Sequence, residues 1–173
     1  MTVIAIAGRA ASGKTFIAEN LGRFFGWPVI GFGRYVRKVA KERGLSDNFP
    51  TLQALGQSLV DADAPAFLQA VMRDGSYVPG RGAIVDGVRH EQILNALKSY
   101  VGPERVYLIY VCASEEARTE RLKTRGMNPA TTSEGVVERQ AATLRAHADL
   151  VSDGEADVSL ILAAVEELAQ QKD

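Results

Sequence analysis

Apolar residues in this chain gather into short runs, separated by longer stretches in which they recur at helical spacing. Residues 3–7, 29–31, 83–85, 106–111 and, more weakly, 150–151 read as strands, because each run is brief and flanked by turn-forming or polar residues. Between them, Ile17, Leu21 and Phe24 predict a helix over 13–25, stopped by Gly26 and Pro28, and a second over 34–43 stops at Gly44. No strong strand appears over 45–81. There, Leu52, Leu55 and Leu59, then Phe67, Leu68 and Val71, predict two helices around Pro65. Further helices are expected over 89–100, 114–125, 132–148 and 156–171, with Ser114 as N-cap ahead of Glu115 and Glu116.

This alternation predicts an α/β fold in three layers, with a five-stranded parallel sheet between helices, right-handed crossovers and ligands at the carboxyl ends of the strands. The helical segment 45–81 enters between the second and third strands and is expected to lie over the open edge of the ligand site. No repeat or low-complexity linker divides the chain, so residues 1–173 read as one domain.

Composition narrows the class. A chain of 173 residues, 46% hydrophobic and 24% charged, can bury a core without staples. No apolar run approaches the roughly 20 residues that cross a bilayer. The immediate entry into a strand, without a basic leader, and the single Cys112 point to a cytoplasmic protein without an internal disulfide. Cys112, at the exit of an apolar run, reads as a small buried hydrophobe. The net charge of −1 conceals an asymmetry: residues 1–90 carry 11 Lys and Arg against 7 Asp and Glu, and the last 25 carry 1 against 7. That basic half suits an anionic small molecule and falls short of the excess usual for duplex binding. His90 and His147 lack ligand-like spacing, so no structural metal is expected.

The first strand runs into Gly8-Arg9-Ala10-Ala11-Ser12-Gly13-Lys14-Thr15, the pattern GxxxxGK(S/T), and then into a helix. Such a turn directs successive backbone N–H groups inward, at the positive end of the helix that follows, and so cradles phosphate oxygens. Gly8, Ala11, Ser12, Gly13, Lys14, Thr15 and Phe16 are the expected ATP-binding residues. Lys14 would reach the β- and γ-phosphates, and the Thr15 hydroxyl would hold Mg²⁺. Arg9, inside the loop, points either toward an acceptor or into solvent.

The third strand leads into Asp86-Gly87-Val88-Arg89. A carboxylate at the end of a strand beside the P-loop strand can hold Mg²⁺ with its water shell, and Arg89 can reach an anion opposite the γ-phosphate. The plainer readings, a helix cap and a surface cation, stay open. Arg34, Arg37, Lys38 and Lys41 form a basic cluster. Arg118, Arg121 and Arg125 follow at i, i+3 and i+7 and lead into Gly126-Met127-Asn128-Pro129. The loop 126–135 is expected to act as a lid bringing positive charge to the migrating group. Arg118 reads as a surface charge.

The DGxR sequence at 86–89 resembles the DGxPR motif of adenylate kinase-like nucleoside monophosphate kinases, with the proline missing. Phe32-Gly33-Arg34-Tyr35-Val36-Arg37 resembles the region after their second strand, and Arg121-Leu122-Lys123-Thr124-Arg125 is similar to their RLxxR lid entrance. The resemblance implies that Arg37 and Arg89, with Arg34 beside them, bind an acceptor phosphate, that Arg121 borders the adenine and that Arg125 approaches the phosphates. Arg139-Gln140 and Ala148-Asp149 are similar to the end of dephospho-CoA kinases, which implies a substrate-binding Arg139 and an adenine-contacting loop over 152–155, with Asp153 and Gly154 at the nucleotide. Lys14, Asp86, Arg121 and Arg125 are the candidate catalytic residues, with Thr15 and Asp86 as metal ligands.

Hydroxyl acceptors usually need a carboxylate to take their proton, whereas a phosphate acceptor needs arginines against charge repulsion. Dephospho-CoA kinases carry an aspartate pair after the second strand, where this chain has Gly31-Phe32-Gly33-Arg34. Asp61 and Asp63 read more simply as a helix end. The expectation is transfer from ATP to a nucleoside or deoxynucleoside monophosphate. The alternatives are a hydroxyl acceptor (dephospho-CoA or a hydroxymethylated base in DNA), a regulatory or motor-like ATPase, and a nucleotide-binding module without catalysis.

Overall fold

The computed structural model describes residues 2–102, 105–133, 136–153 and 158–170. The first apolar run becomes strand β1 (Thr2–Ala7), the centre of the sheet and buried from Val3 onward. Side chains alternate across a strand, so Val3, Ala5 and Ala7 enter one core while Ile4 and Ile6 enter the other.

Around it the chain places β2 (Val29–Gly31), β3 (Ala83–Val88), β4 (Arg105–Cys112) and β5 (Leu150–Asp153) in the order β2-β3-β1-β4-β5, all parallel. Helices α2 (Phe32–Glu42), α3 (Phe49–Asp74) and α4 (Glu91–Val101) cover one face, through residues such as Val36, Leu68 and Leu97. Helices α1 (Lys14–Phe25) and α8 (Val158–Gln170) cover the other, through Ile17, Leu21, Ile161 and Val165. No helix among the described residues is long and apolar enough to cross a membrane.

Several boundaries differ from the sequence expectation. β3 runs on to Val88, with a register shift opposite Ile6 and Ala7, so Asp86 lies within the strand, paired with Ile6 on one side and Gly31 on the other. α3 breaks at Asp63, whose backbone is extended and whose Oδ1 accepts from the Ala66 amide at 2.8 Å. Asp63 thus caps the second half, where Pro65 is tolerated because its missing N–H falls among the unpaired first-turn groups. The expected helix over 132–148 is instead α6 (Pro129–Ser133), α7 (Val136–Thr143) and a 3₁₀ turn at Leu144–His147. The turn ends where Asp149 clasps β4: its amide donates to Leu108 O at 2.9 Å and its carboxylate accepts from Leu108 N at 2.8 Å. α5 (Glu115–Thr124) starts as expected, with Ser114 Oγ accepting from the Ala117 amide at 3.1 Å.

Candidate active site

The loop between β1 and α1 has the backbone its residue types require. Gly8 sits at φ +143°, and a Cβ there would lie 2.3 Å from Val111 O and 2.9 Å from Ser12 Oγ. Ala11 and Gly13 also have positive φ, at 60° and 98°. Departures into this region turn amides toward the concave side and carbonyls away from it. The carbonyls have partners: Arg9 O accepts from the Ser12 amide at 3.2 Å and from Lys14 Nζ at 2.6 Å. Lys14 is buried, folded back over its own loop. Ser12 is also buried, and its Oγ has no hydrogen-bond partner among the described residues.

At the mouth of this cradle the Thr15 hydroxyl donates to Asp86 Oδ2 at 2.9 Å, while Asp86 Oδ1 is buried and unpartnered among the described residues. Burial pushes the Asp86 carboxyl above its usual range, against the opposing pull of Lys14, the Thr15 hydrogen bond and Arg89. A buried carboxylate oxygen beside a threonine hydroxyl is a fitting hard-oxygen pair for a divalent cation. Among the described residues no group of three or more metal-ligating side chains exists, so a cation here would complete its shell with water and phosphate oxygens.

The cradle opens into a cleft of about 780 Å³. Ala11, Gly13, Lys14, Thr15, Phe16 and Asp86 line its P-loop side, and Arg34, Arg37 and Arg89 line the other, with Arg125 and Met127 contributed from the end of α5. The first half of α3 forms the outer wall through Phe49, Leu52, Gln53, Gly56 and Gln57. Phe49 and Met127 each pack against the cluster of Ala10, Ala11 and Leu122, so the helical insertion and the segment after α5 both border the P-loop.

Other expected site residues lie elsewhere. Gly8 and Ser12 shape the cradle from within. Arg121 does not line the cleft; its guanidinium donates to Ala11 O at 3.1 Å. Arg139, on α7, and Asp153, at the end of β5, are exposed and outside the cleft, and Gly154 lies outside the described residues. Arg118 is not a surface charge: it is 2% exposed and donates through Nε to Ala10 O at 3.0 Å. Arg9 turns to Glu115 Oε1 at 2.5 Å and does not line the cleft.

Sequence reasoning missed a polar group on the wall of the cleft opposite the P-loop. His90 is buried, and its Nε2 lies 3.1 Å from Gln57 Oε1, while Gln57 Nε2 donates to Asp61 Oδ1 at 2.7 Å. With the Gln57 amide so committed, His90 must be the donor. Burial lowers its pKa, Arg89 lowers it further and Asp61 partly opposes them. Gln53, one turn before Gln57, has a buried Nε2 without a partner among the described residues. The signal was present: glutamines at i and i+4 lie on a cleft-facing stripe with Leu52 and Gly56.

A family model described as an AAA domain matches residues 4–142, from β1 through most of α7. The chain belongs to this family. Among relatives of this AAA-domain P-loop protein, a UPF0200 protein of Pyrobaculum aerophilum is 32% identical over 99% of this chain and 94% of its own length. A cytidylate kinase of Brucella suis is 31% identical over 69% of this chain and 63% of its own. Shikimate kinase from Aquifex aeolicus shares the fold, with a TM-score of 0.64 and 22% identity over 97% of this chain and 98% of that one. The chain thus joins an AAA-domain P-loop sequence to a fold that it shares with a solved small-molecule kinase.

Proposed function

We propose that the chain transfers the γ-phosphoryl of ATP to the phosphate of a nucleoside or deoxynucleoside monophosphate. The observation that carries this reading is the sharing of one cleft by the P-loop and by Arg34, Arg37, Arg89 and Arg125. Two phosphorylated ligands brought face to face repel each other, and guanidiniums between them offset that repulsion and fix the line of attack. The loop amides and Lys14 hold the donor tail, and Thr15 with Asp86 would hold Mg²⁺. That ion supplies charge neutralisation along the phosphates. Arg37 and Arg89 orient the acceptor anion, and Arg125 adds positive charge from the lid side.

A hydroxyl acceptor would call for a carboxylate on the acceptor wall. Among the described residues the acids lining the cleft are Glu19 and Asp86, both on the P-loop side, and neither Asp61 nor Asp63 lines it. Kinship with a cytidylate kinase is in keeping with a monophosphate acceptor.

The test is a coupled assay with Mg-ATP across ribo- and deoxyribonucleoside monophosphates and hydroxyl substrates. Arg37→Ala and Arg89→Ala should each raise the acceptor KM by about 10- to 150-fold, the worth of a charge-assisted hydrogen bond. Turnover confined to hydroxyl substrates would refute the reading.

A further inference from the structure

We infer that Arg118 is a positioning residue: from α5 it holds the P-loop by the outward Ala10 carbonyl, with Glu115 fixing its guanidinium, and so helps keep the loop amides aimed at the nucleotide. This concerns the donor site alone and does not depend on which acceptor is used.

A phosphate cradle works only while its peptide planes stay turned, amides in and carbonyls out, and an outward carbonyl without a partner would let its plane rotate. In this chain Arg9 O, Ala10 O and Ala11 O all accept from basic side chains: Lys14 Nζ at 2.6 Å, Arg118 Nε at 3.0 Å and Arg121 at 3.1 Å. Lys14 belongs to the loop's own helix and must also serve the phosphates. Arg118 and Arg121 come from α5, more than 100 residues away in sequence, and hold the loop from behind.

Arg118 has the burial of a structural pin rather than of a ligand-binding cation, at 2% exposed. Its other edge is gripped by both oxygens of Glu115 at 2.8 Å each, and the same carboxylate takes Arg9 of the loop. One exposed glutamate therefore ties two arginines, one in the loop and one behind it. Leu122 adds apolar contact with Ala10 and Ala11, and the helix ends with Arg125 in the cleft. The helix that delivers a lid arginine is thereby registered on the loop that holds the phosphates.

Two variants separate this role from simple electrostatics and from simple stability. Arg118→Lys keeps the charge but removes the planar fork that spans Ala10 O and Glu115. Glu115→Ala removes a negative charge near the phosphates; through-space attraction alone would then tighten ATP binding, whereas a loosened clamp weakens it. ATP binding by calorimetry, KM and kcat for ATP and for acceptor, thermal unfolding and amide exchange over residues 9–13 are measured on the full chain. The expected result is ATP binding weakened about tenfold in Arg118→Lys and measurably in Glu115→Ala. Exchange at the Ser12 and Gly13 amides should be faster, with the acceptor KM within about twofold of wild type. ATP affinity unchanged in Arg118→Lys, or tightened in Glu115→Ala, overturns the inference. If Arg118→Lys does not fold, Glu115→Ala decides, since that side chain is 63% exposed and its loss leaves the core intact. All of these readouts survive if the acceptor proves to be a hydroxyl compound.

Discussion

Gly8→Ala tests the cradle most directly. The added methyl would lie 2.3 Å from Val111 O, so β4 or the loop must give way by roughly an ångström before an ordinary contact is restored. The backbone angle of +143° adds strain for any residue with a Cβ, on the order of 1–3 kcal/mol. At about 2–4 °C per kcal/mol for a domain of this size, the free protein should melt about 2–12 °C lower. The larger effect is on nucleotide, because losing about two amide–phosphate hydrogen bonds, at about 1.5 kcal/mol each, costs about 10²-fold in affinity. Mg-ATP at 100 times the wild-type Kd stabilises the native protein by about 2.7 kcal/mol, a rise of about 5–11 °C; with affinity reduced 10²-fold the same concentration gives about 0.4 kcal/mol, or 1–2 °C. Thermal unfolding with and without Mg-ATP reads both quantities. A Gly8→Ala protein showing the full wild-type rise with Mg-ATP would refute the reasoning.

Asp86→Asn should separate stability from function. Burial raises the pKa of this carboxyl, so its ionised form detracts from the stability of the free protein at neutral pH. The amide should therefore melt at the same or a higher temperature, while the extra stabilisation by Mg-ATP over ATP alone disappears; a retained magnesium effect would remove Asp86 from the metal site. His90 gives the opposite sign. Its folded pKa lies below 6.5, so its contribution is complete above that pH and is lost as pH falls through the folded value. His90→Gln should flatten the acid limb of the melting temperature below pH 6.5, and an unchanged limb would show that another group governs it.

The elements that depend on local pattern were legible in the sequence. The strand ahead of the P-loop, the following helix, the two-part insertion and the Ser114 cap all rest on residues close together in the chain, and the parallel sheet follows from their alternation. The arginines gathered by topology were legible only in part. Arg34, Arg37, Arg89 and Arg125 do line one cleft, because each sits at the carboxyl side of the sheet. Arg118 and Arg121 share a helix and a spacing with Arg125, yet they turn to loop carbonyls whose nearness to α5 arises only when β1 and β4 pair. The same holds for His90 and Gln57, 33 residues apart in sequence, whose contact requires the insertion to fold back over β3. Asp63 is a helix end, as the sequence suggests, but it caps the half-helix that follows it.

That break divides the labour along the insertion. Beyond it, Leu68, Val71 and Met72 are at most 1% exposed and anchor the segment in the core; before it, Leu52, Gln53, Gly56 and Gln57 border the cleft. Mutations at those wall positions could retune ligand preference while the anchor stays intact. Shape at the cleft and anchorage in the core are thereby set by separate halves of one segment.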